Sequence, residues 1–340
     1  MSRLLDEAYN HVVYTYGVKK TAMSLLSSPV TIYNPLYLHF YNDFMDKRMK
    51  QFSDVPFRVM IENSNMCNLS CTFCPHKSMR RKQGIMSNSL FETTVNQCKN
   101  LGVDYVTIYG FGEPLLDPNF CLKVNLAKKI GLGRVTTNTN GTLLNAEAAE
   151  NLITSGLDEI YISIDANTAE TYQKVRGSGT KFSEVENNVR FLLKKRSKLG
   201  RRNPAVTLSY VESELNKHET QDFISKWLNV VDHISISKIH NWTGNIPIEN
   251  CVHYRMRDPC RLIWTDMVIN WDGTVPLCCN DYEGTVRFGN VKLDSIKDIW
   301  GGEKMKAIRD CHKKKKFNQI SACKTCTYNC HDKSPWWVSK

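Results

Sequence analysis

Residues 67–74 read Cys67-Asn68-Leu69-Ser70-Cys71-Thr72-Phe73-Cys74, which places three thiols at the spacing C-x3-C-x2-C. A structural zinc ion or a fully ligated iron–sulfur cluster takes four protein ligands, so three close thiols suit a [4Fe–4S] cluster with one open iron. The apolar run from Phe57 to Ile61 predicts a strand just before this stretch. We therefore expect the thiols in the loop at the carboxyl end of that strand. Three structural or zinc-binding thiols are the alternative.

This three-thiol motif, with the aromatic Phe73 directly before its third cysteine, resembles the motif of the radical S-adenosylmethionine (SAM) superfamily. In that family the amino and carboxylate groups of SAM bind the open iron, and the reduced cluster breaks a carbon–sulfur bond to give a 5′-deoxyadenosyl radical. The resemblance implies that Cys67, Cys71 and Cys74 hold this first cluster and that Phe73 belongs to the SAM site.

The composition describes a chain large enough for one medium-sized barrel and a small appendage. It has 340 residues, 41% of them hydrophobic. No run approaches about 20 apolar residues and no signal peptide is evident, so we expect a soluble, cytoplasmic protein without a membrane partner. Thirteen cysteines, an odd count, then indicate metal ligands rather than disulfides. The net charge is +11, but the basic runs lack interleaved aromatic residues, which argues against nucleic-acid binding.

Strand-like and helix-like stretches alternate between Pro56 and Lys238. The predicted strands are 57–62, 104–109, 133–138, 158–164, 205–211 and 232–238, and the predicted helices lie at about 88–101, 118–130, 145–155, 184–199 and 217–229. Six βα units in succession predict an α/β fold with a parallel sheet, either a doubly wound open sheet or a partial barrel, with the chemistry at the carboxyl ends of the strands. The family resemblance implies the partial (β/α)6 barrel, which is similar to an incomplete TIM barrel.

Polar motifs follow three of these strands. The stretch Gly110-Phe111-Gly112-Glu113-Pro114 resembles the family's G-G-E-P, whose backbone and carboxylate bind the amino group of SAM, and Asn140 resembles another polar contact to SAM. Ser163 and Asp165 end the fourth strand, where alternation points both side chains into the barrel and towards the SAM ribose. Arg176 resembles the arginine that pairs with the SAM carboxylate. The alternatives are two ordinary turns and a surface arginine.

The last hundred residues form a second group of cysteines. The pattern G-x4-C ends at Cys278, and a C-x2-C pair is followed by the last cysteine, Cys330. This arrangement resembles the SPASM domain, or its shortened twitch form, which carries auxiliary [4Fe–4S] clusters. The full pattern has more cysteines after the C-x2-C pair, so the resemblance implies one auxiliary cluster here. Its ligands are expected to be Cys260, Cys278, Cys323 and Cys326, unless Cys330 replaces one of them; zinc bound by the same residues is the alternative.

Two side chains beside this auxiliary site are candidates for the chemistry. Cys279 follows the ligand Cys278, and Asp281 lies two residues later on the same face if the strand continues. In the similar sulfatase-maturating enzymes an aspartate after that cysteine acts as a base. If Cys279 returns hydrogen to the substrate, the enzyme is an epimerase, whereas a base at Asp281 makes it a dehydrogenase. A buried structural thiol is the alternative for Cys279.

The chain is thus identified as a radical SAM enzyme with a helical N-terminal extension (1–52), a partial barrel (53–243) and a Cys-rich α+β SPASM/twitch domain (244–340). We expect a polar small-molecule substrate of sugar, cyclitol or aminoglycoside type, because the chain has no evident peptide-recognition domain. A ribosomally made peptide is the alternative substrate, and a non-catalytic iron–sulfur electron carrier is the alternative function. The resemblance also implies a reductant such as flavodoxin or ferredoxin.

Overall fold

The computed structural model describes residues 54–177, 179, 181–246 and 259–328, together with the backbone of 336–339. The helical extension expected at residues 1–52 lies outside this range, and so does Cys330. In the described part of the chain, no helix is long and apolar enough to cross a membrane.

One eight-stranded sheet is the framework of the fold. The strands of the chain are β1 (Arg58–Ile61), β2 (Tyr105–Ile108), β3 (Arg134–Thr139), β4 (Glu159–Ser163), β5 (Ala205–Glu212), β6 (His233–Lys238), β7 (Asp266–Ile269), β8 (Thr274–Pro276), β9 (Arg287–Asn290) and β10 (Trp336–Ser339). The sheet has the order β10-β6-β5-β4-β3-β2-β1-β7, and only β10 is antiparallel to its neighbour. Strands β8 and β9 form a separate antiparallel pair. The six predicted strands are confirmed, each to within one residue at either end.

Helices connect the parallel strands. They are α1 (Asn88–Leu101), α2 (Phe120–Ile130), α3 (Ala146–Thr154), α4 (Ala169–Arg176), α5 (Phe182–Lys198), α6 (Thr220–Trp227), α7 (Leu262–Thr265), α8 (Ile296–Gly301), α9 (Glu303–Lys313) and α10 (Ser321–Lys324). The sequence does not predict α4, because its residues are mostly polar and show little apolar periodicity. Its start is instead fixed by a cap, in which the Thr168 hydroxyl accepts the N–H of Thr171. The hydroxyls of Thr168 and Thr171 both donate to the Glu219 carboxylate.

The second helix begins later than predicted. It starts at Phe120 rather than at residue 118, because Asp117 does not cap it. The Asp117 carboxylate instead accepts the N–H of Asn119 and pairs with the buried Lys123 at 2.6 Å.

Alternation along the strands gives the sheet one apolar and one polar face. Residues such as Val106, Ile108, Ile160 and Ile162 are fully buried and pack with the helices in one core. The residues between them point to the other side, where they enclose a cavity instead of a second apolar core. The fold is therefore a partial barrel whose interior is free to bind ligands.

The C-terminal region extends this framework. Strand β7 lies beside β1 in parallel, with Arg58 opposite Asp266 and Ile61 opposite Ile269. Helix α8 packs on α1, where the N–H of Ile296 donates to the Gln97 side chain at 2.8 Å. The cysteines of this region are consequently held against the barrel rather than apart from it.

Candidate active site

The polar face of the sheet encloses a cavity of about 550 Å³, a usual size for a small-molecule site. Hydroxyl and amide side chains from β2 to β6 line it: Thr107, Thr136, Asn138, Ser163, Ser209, Ser235 and Ser237. The three thiols of residues 67–74 line the same cavity, and so do Cys278 and Cys279 from the C-terminal region. The first group of cysteines and one member of the second group, Cys278, therefore face one space.

The three-thiol loop follows β1, as predicted, and docks on the end of α4. The N–H of Thr72 donates to the carbonyl of Val175 at 2.9 Å, and Leu69 and Phe73 pack with Val175 around the thiols. Burial raises the pKa of Cys74 to about 12. A bound iron ion acts in the opposite direction, since a metal's positive charge favours the thiolate. The loop thus presents three thiols to the cavity.

The Gly110–Glu113 turn lies directly against this loop. A Cβ on Gly112 would come within 2.5 Å of the carbonyl oxygens of Ser64 and Met66, so only glycine fits there. The Glu113 carboxylate is buried and accepts hydrogen bonds from the Leu115 and Asn140 N–H groups and from the Thr139 hydroxyl. Burial raises the pKa of Glu113, although these three bonds oppose the shift. Its carboxylate lines the cavity next to the thiol loop.

Asn140 and Ser163 also line the cavity. The Asn140 amide donates to the side chain of Asn68, which lies between Cys67 and Cys71 in the sequence, at 2.9 Å. Its oxygen accepts a hydrogen bond from the Thr142 hydroxyl at 2.6 Å. The segments that follow β1, β2 and β3 are therefore joined by hydrogen bonds among Asn68, Glu113 and Asn140.

The prediction that Asp165 points into the cavity is wrong. Its backbone has a φ of 59°, which breaks the alternation after Ser163. The side chain is 0% exposed, accepts the N–H of Val211 at 2.6 Å and pairs with Arg176 at 2.6 Å. Arg176 does line the cavity, and its guanidinium also donates to the Cys71 sulfur at 3.4 Å. Burial lowers the pKa of Arg176, but Asp165 and Cys71 outweigh burial and raise it above its ordinary value.

A second, smaller cavity brings together the four cysteines predicted as auxiliary ligands. Its wall contains Cys260, Cys278, Cys323 and Cys326 with the apolar side chains of Ile263, Leu277, Phe317 and Ala322. Cys278, Asn280 and Tyr328 line both this cavity and the large one. The auxiliary site is therefore separated from the large cavity by a single layer of side chains.

The two candidates for the chemistry, Cys279 and Asp281, lie in different surroundings. Cys279 lines the large cavity, and burial raises its pKa to about 12, with Asp266 acting in the same direction. Asp281 does not line it, so the prediction that Asp281 shares a face with Cys279 is wrong. The strand ends at Pro276 and a turn follows, in which the Asp281 carboxylate accepts the N–H groups of Thr285 and Val286.

Trp242 is a cavity residue that sequence patterns did not single out, apart from a change of composition near it. Its φ of 45° is strained for a bulky side chain, and its Nε1–H donates to the carbonyl of Phe73 at 2.7 Å. The preceding Asn241 binds the carbonyl of Thr325 and the N–H of Thr327, on either side of Cys326. Residues 241–242 thus join the first thiol loop to the auxiliary one.

Glu62 is a second residue that the sequence does not reveal. At the end of β1 it accepts two hydrogen bonds from Arg81, at 2.8 and 2.9 Å, and further N–H groups from Phe111 and Trp271. Arg81 also donates to the carbonyl of Tyr282. Arg81 therefore ties the end of β1 to the C-terminal region.

Both sites are formed by cysteine thiols, three in the first and four in the second. Thiolates are the ordinary ligands of iron–sulfur clusters, so the donor set of both sites fits such clusters.

Comparisons with known proteins agree with this geometry. Residues 61–224 match the radical SAM superfamily, and residues 260–327 match SPASM, an iron–sulfur cluster-binding domain. The mycofactocin maturase of Mycobacterium ulcerans is 35% identical over 127 residues, 37% of this chain and 34% of the maturase. The tungsten-containing aldehyde ferredoxin oxidoreductase cofactor-modifying protein of Pyrococcus furiosus is 26% identical over 310 residues, 78% of this chain and 86% of that protein. The chain thus spans only about a third of the maturase.

Solved structures share the fold at low identity. BtrN in complex with AdoMet and 2-DOIA aligns with a TM-score of 0.56 and 19% identity, over 80% of this chain and 93% of BtrN. Streptococcus suis SuiB bound to its precursor peptide SuiA aligns with a TM-score of 0.63 and 18% identity, over 88% of this chain and 77% of SuiB. A radical SAM domain followed by SPASM implies a [4Fe–4S] cluster, SAM and an auxiliary iron–sulfur cluster, and the three-thiol loop and the four-cysteine cavity provide places for both clusters. The chain therefore belongs to the radical SAM superfamily and carries a C-terminal SPASM domain.

Proposed function

We propose that this protein reductively cleaves SAM and takes a hydrogen atom from a polar small molecule of sugar, cyclitol or aminoglycoside type. The observation that supports this proposal is the shared cavity. The first-cluster thiols and the Cys278–Cys279 pair face one space, and seven hydroxyl and amide side chains on β2 to β6 contribute to its lining. Such a lining offers hydrogen bonds to a substrate that carries many hydroxyl or amino groups.

The residues around the thiol loop are proposed to hold SAM. Glu113 faces the cavity beside the thiols and is assigned to the ammonium group, Arg176 to the carboxylate, and Asn140 and Ser163 to the polar parts of the nucleoside. When bound, the reduced cluster and SAM supply a 5′-deoxyadenosyl radical that abstracts hydrogen. The protein orients the substrate carbon towards that radical and excludes water from it.

Cys279 is proposed to complete the reaction as a hydrogen donor. Cys279 lines the cavity and belongs to the C-terminal region, whereas the three-thiol loop follows β1. The S–H bond breaks and a C–H bond forms on the opposite face of the substrate carbon, which inverts that centre. One electron from a flavodoxin or ferredoxin and one proton from solvent then restore the thiol. The overall reaction is an epimerisation.

Dehydrogenation remains the other outcome within this function, but it needs a base other than Asp281. Of the later strand-end residues, Tyr210 lies on the outer face of the sheet and donates to the carbonyl of Asn216. His240 instead lines the cavity and is the better candidate. In that case the substrate loses a proton to His240 and its remaining electron to the auxiliary site.

The test is turnover in deuterated water. Anaerobically reconstituted, reduced protein should form 5′-deoxyadenosine from SAM, and a matching sugar or cyclitol should gain one deuterium. Cys279→Ala should still form 5′-deoxyadenosine but lose the deuterated product, whereas Cys121→Ala, a thiol change on α2, should behave like the parent. Unchanged deuterium incorporation in Cys279→Ala would exclude the thiol. If no 5′-deoxyadenosine forms at all, the result would favour a non-catalytic electron carrier.

A peptide substrate is the second candidate, because the solved relative SuiB is bound to a precursor peptide and a mycofactocin maturase is among the similar proteins. A short reading frame beside the gene would supply the peptide to assay. Formation of 5′-deoxyadenosine that increases with this peptide, and not with sugars, would replace the small-molecule proposal.

A further inference from the structure

His312 lies at the wall of the auxiliary cavity, and nothing above assigns it a role. It belongs to the last turn of α9, is 2% exposed and lines the same cavity as the four cysteines. Its ring is held edge-on between two aromatic rings, with centroids 6.2 Å from Trp264 and 5.0 Å from Phe317. The plane of the imidazole is therefore fixed with respect to the thiols.

The two ring nitrogens have different partners, and these partners determine the tautomer. The backbone N–H of Cys260 points at Nδ1 from 3.2 Å. A backbone amide can only donate, so Nδ1 accepts and carries no proton. The proton must then lie on Nε2, and this nitrogen is 3.4 Å from the Cys323 sulfur. The imidazole thus accepts from one proposed ligand residue and donates to the sulfur of another.

We propose that His312 is a positioning residue that donates its Nε2–H to the Cys323 thiolate and raises the reduction potential of the auxiliary cluster. This inference rests on the assignment of the four cysteines as cluster ligands. Reduction adds one negative charge to a cluster, and a hydrogen bond to a ligand sulfur stabilises that charge more than it stabilises the oxidised form. The same bond fixes Cys323 in the orientation that faces the cavity.

The reduction potential of the auxiliary cluster matters for both outcomes of the proposed reaction. In an enzyme that dehydrogenates, the auxiliary cluster accepts an electron from the substrate, and a higher potential makes that acceptance easier. In an enzyme that epimerises, the same cluster stands beside Cys279 and exchanges electrons with the flavodoxin or ferredoxin. In both cases His312 acts on the cluster through Cys323 and does not touch the substrate.

The test is the midpoint potential of the auxiliary cluster in full-length, reconstituted protein, followed by electron paramagnetic resonance. His312→Leu should lower the equilibrium constant for reduction at least tenfold, which is about 59 mV for a one-electron couple. His312→Gln, whose amide can still donate, should recover most of this loss. His233→Leu, a change at the start of β6, should leave the potential at the parent value. Iron content should stay at about eight per chain in all three.

Two further measurements keep the outcomes separate. Cys323→Ala should lose about four irons, and if it does not, the ligand assignment itself fails rather than the role of His312. In parent protein labelled with ¹⁵N-histidine, pulsed resonance should detect a weak nitrogen coupling to the auxiliary cluster. A strong coupling would make His312 a ligand, and no coupling, or an unchanged potential in His312→Leu, would overturn the proposal. The labelled parent gives an answer even if a variant fails to assemble.

Discussion

Replacing Asp165 with Asn should destabilise the fold. The affinity for SAM should change little, because other residues are assigned to SAM. The substitution keeps the size of the side chain and removes its charge. In the structure this carboxylate is 0% exposed and lies 2.6 Å from the Arg176 guanidinium, which is itself buried and contacts the Cys71 sulfur. The variant therefore leaves a charged guanidinium buried without its partner.

The magnitude follows from the burial of both partners. Breaking a buried ion pair by removing one charge costs about 3–5 kcal/mol, because the other charge remains desolvated. Domains of this kind have a free energy of unfolding of roughly 5–15 kcal/mol, so the loss is a large fraction of the total. For a barrel of some 190 residues the midpoint of thermal unfolding should fall by about 6–20 °C.

The assay is urea unfolding of reconstituted protein together with SAM calorimetry. Ser163→Ala is the matched control for the unfolding measurement alone, since Ser163 takes no part in the ion pair but lines the cavity and is itself assigned to SAM. A double variant, Asp165→Asn with Arg176→Gln, should regain part of the lost stability because it leaves no charge behind. A loss below about 1 kcal/mol, combined with much weaker SAM binding, would refute the reasoning and return Asp165 to the ribose.

Four further changes test other parts of the structure. Alanine at the three thiols of the first loop should remove about four irons and all SAM cleavage. Alanine at both thiols of the C-x2-C pair should also remove about four irons but leave some SAM cleavage. Iron analysis and 5′-deoxyadenosine assays would measure both effects. Gly112→Ala should cost roughly 1–3 kcal/mol in urea unfolding and weaken SAM binding, because its Cβ meets two backbone carbonyls, while Gly301→Ala has open space and should be tolerated. Burial raises the pKa of Asp232, but Arg196 and the Val206 N–H outweigh burial and hold this pKa below its ordinary value. The difference in stability between the parent and Asp232→Asn should therefore be complete above about pH 4 and should shrink as the pH falls further.

The parallel framework could be predicted from the sequence because its signals are local. The six strands are short runs with apolar alternation, the five predicted helices show apolar periodicity, and the observed strand ends agree with the prediction to within one residue. Strand β7 could not be assigned to the sheet in the same way. Its place beside β1 depends on a contact between residues more than two hundred positions apart, which no local pattern encodes.

The site was predictable where a motif fixes the chemistry and not where the backbone departs from a regular element. Spacing alone placed the three thiols, and spacing with a family resemblance placed the four auxiliary cysteines around one cavity. The errors at Asp165 and Asp281 have one cause. Both predictions continued a strand's alternation past the point where the strand ends, once into a left-handed residue and once into a turn.

The connection through Asn241 and Trp242 constrains every version of the proposed function. One side of this segment binds the carbonyl of Phe73 in the first thiol loop, and the other side binds Thr325 and Thr327 around Cys326. The separation of the two cluster sites is therefore fixed by short hydrogen bonds and does not depend on how the two regions are linked in sequence. The cavity of about 550 Å³ between them must hold SAM as well as the substrate. A small polar substrate that shares this volume with SAM can lie within the cavity, whereas a longer peptide would extend beyond it.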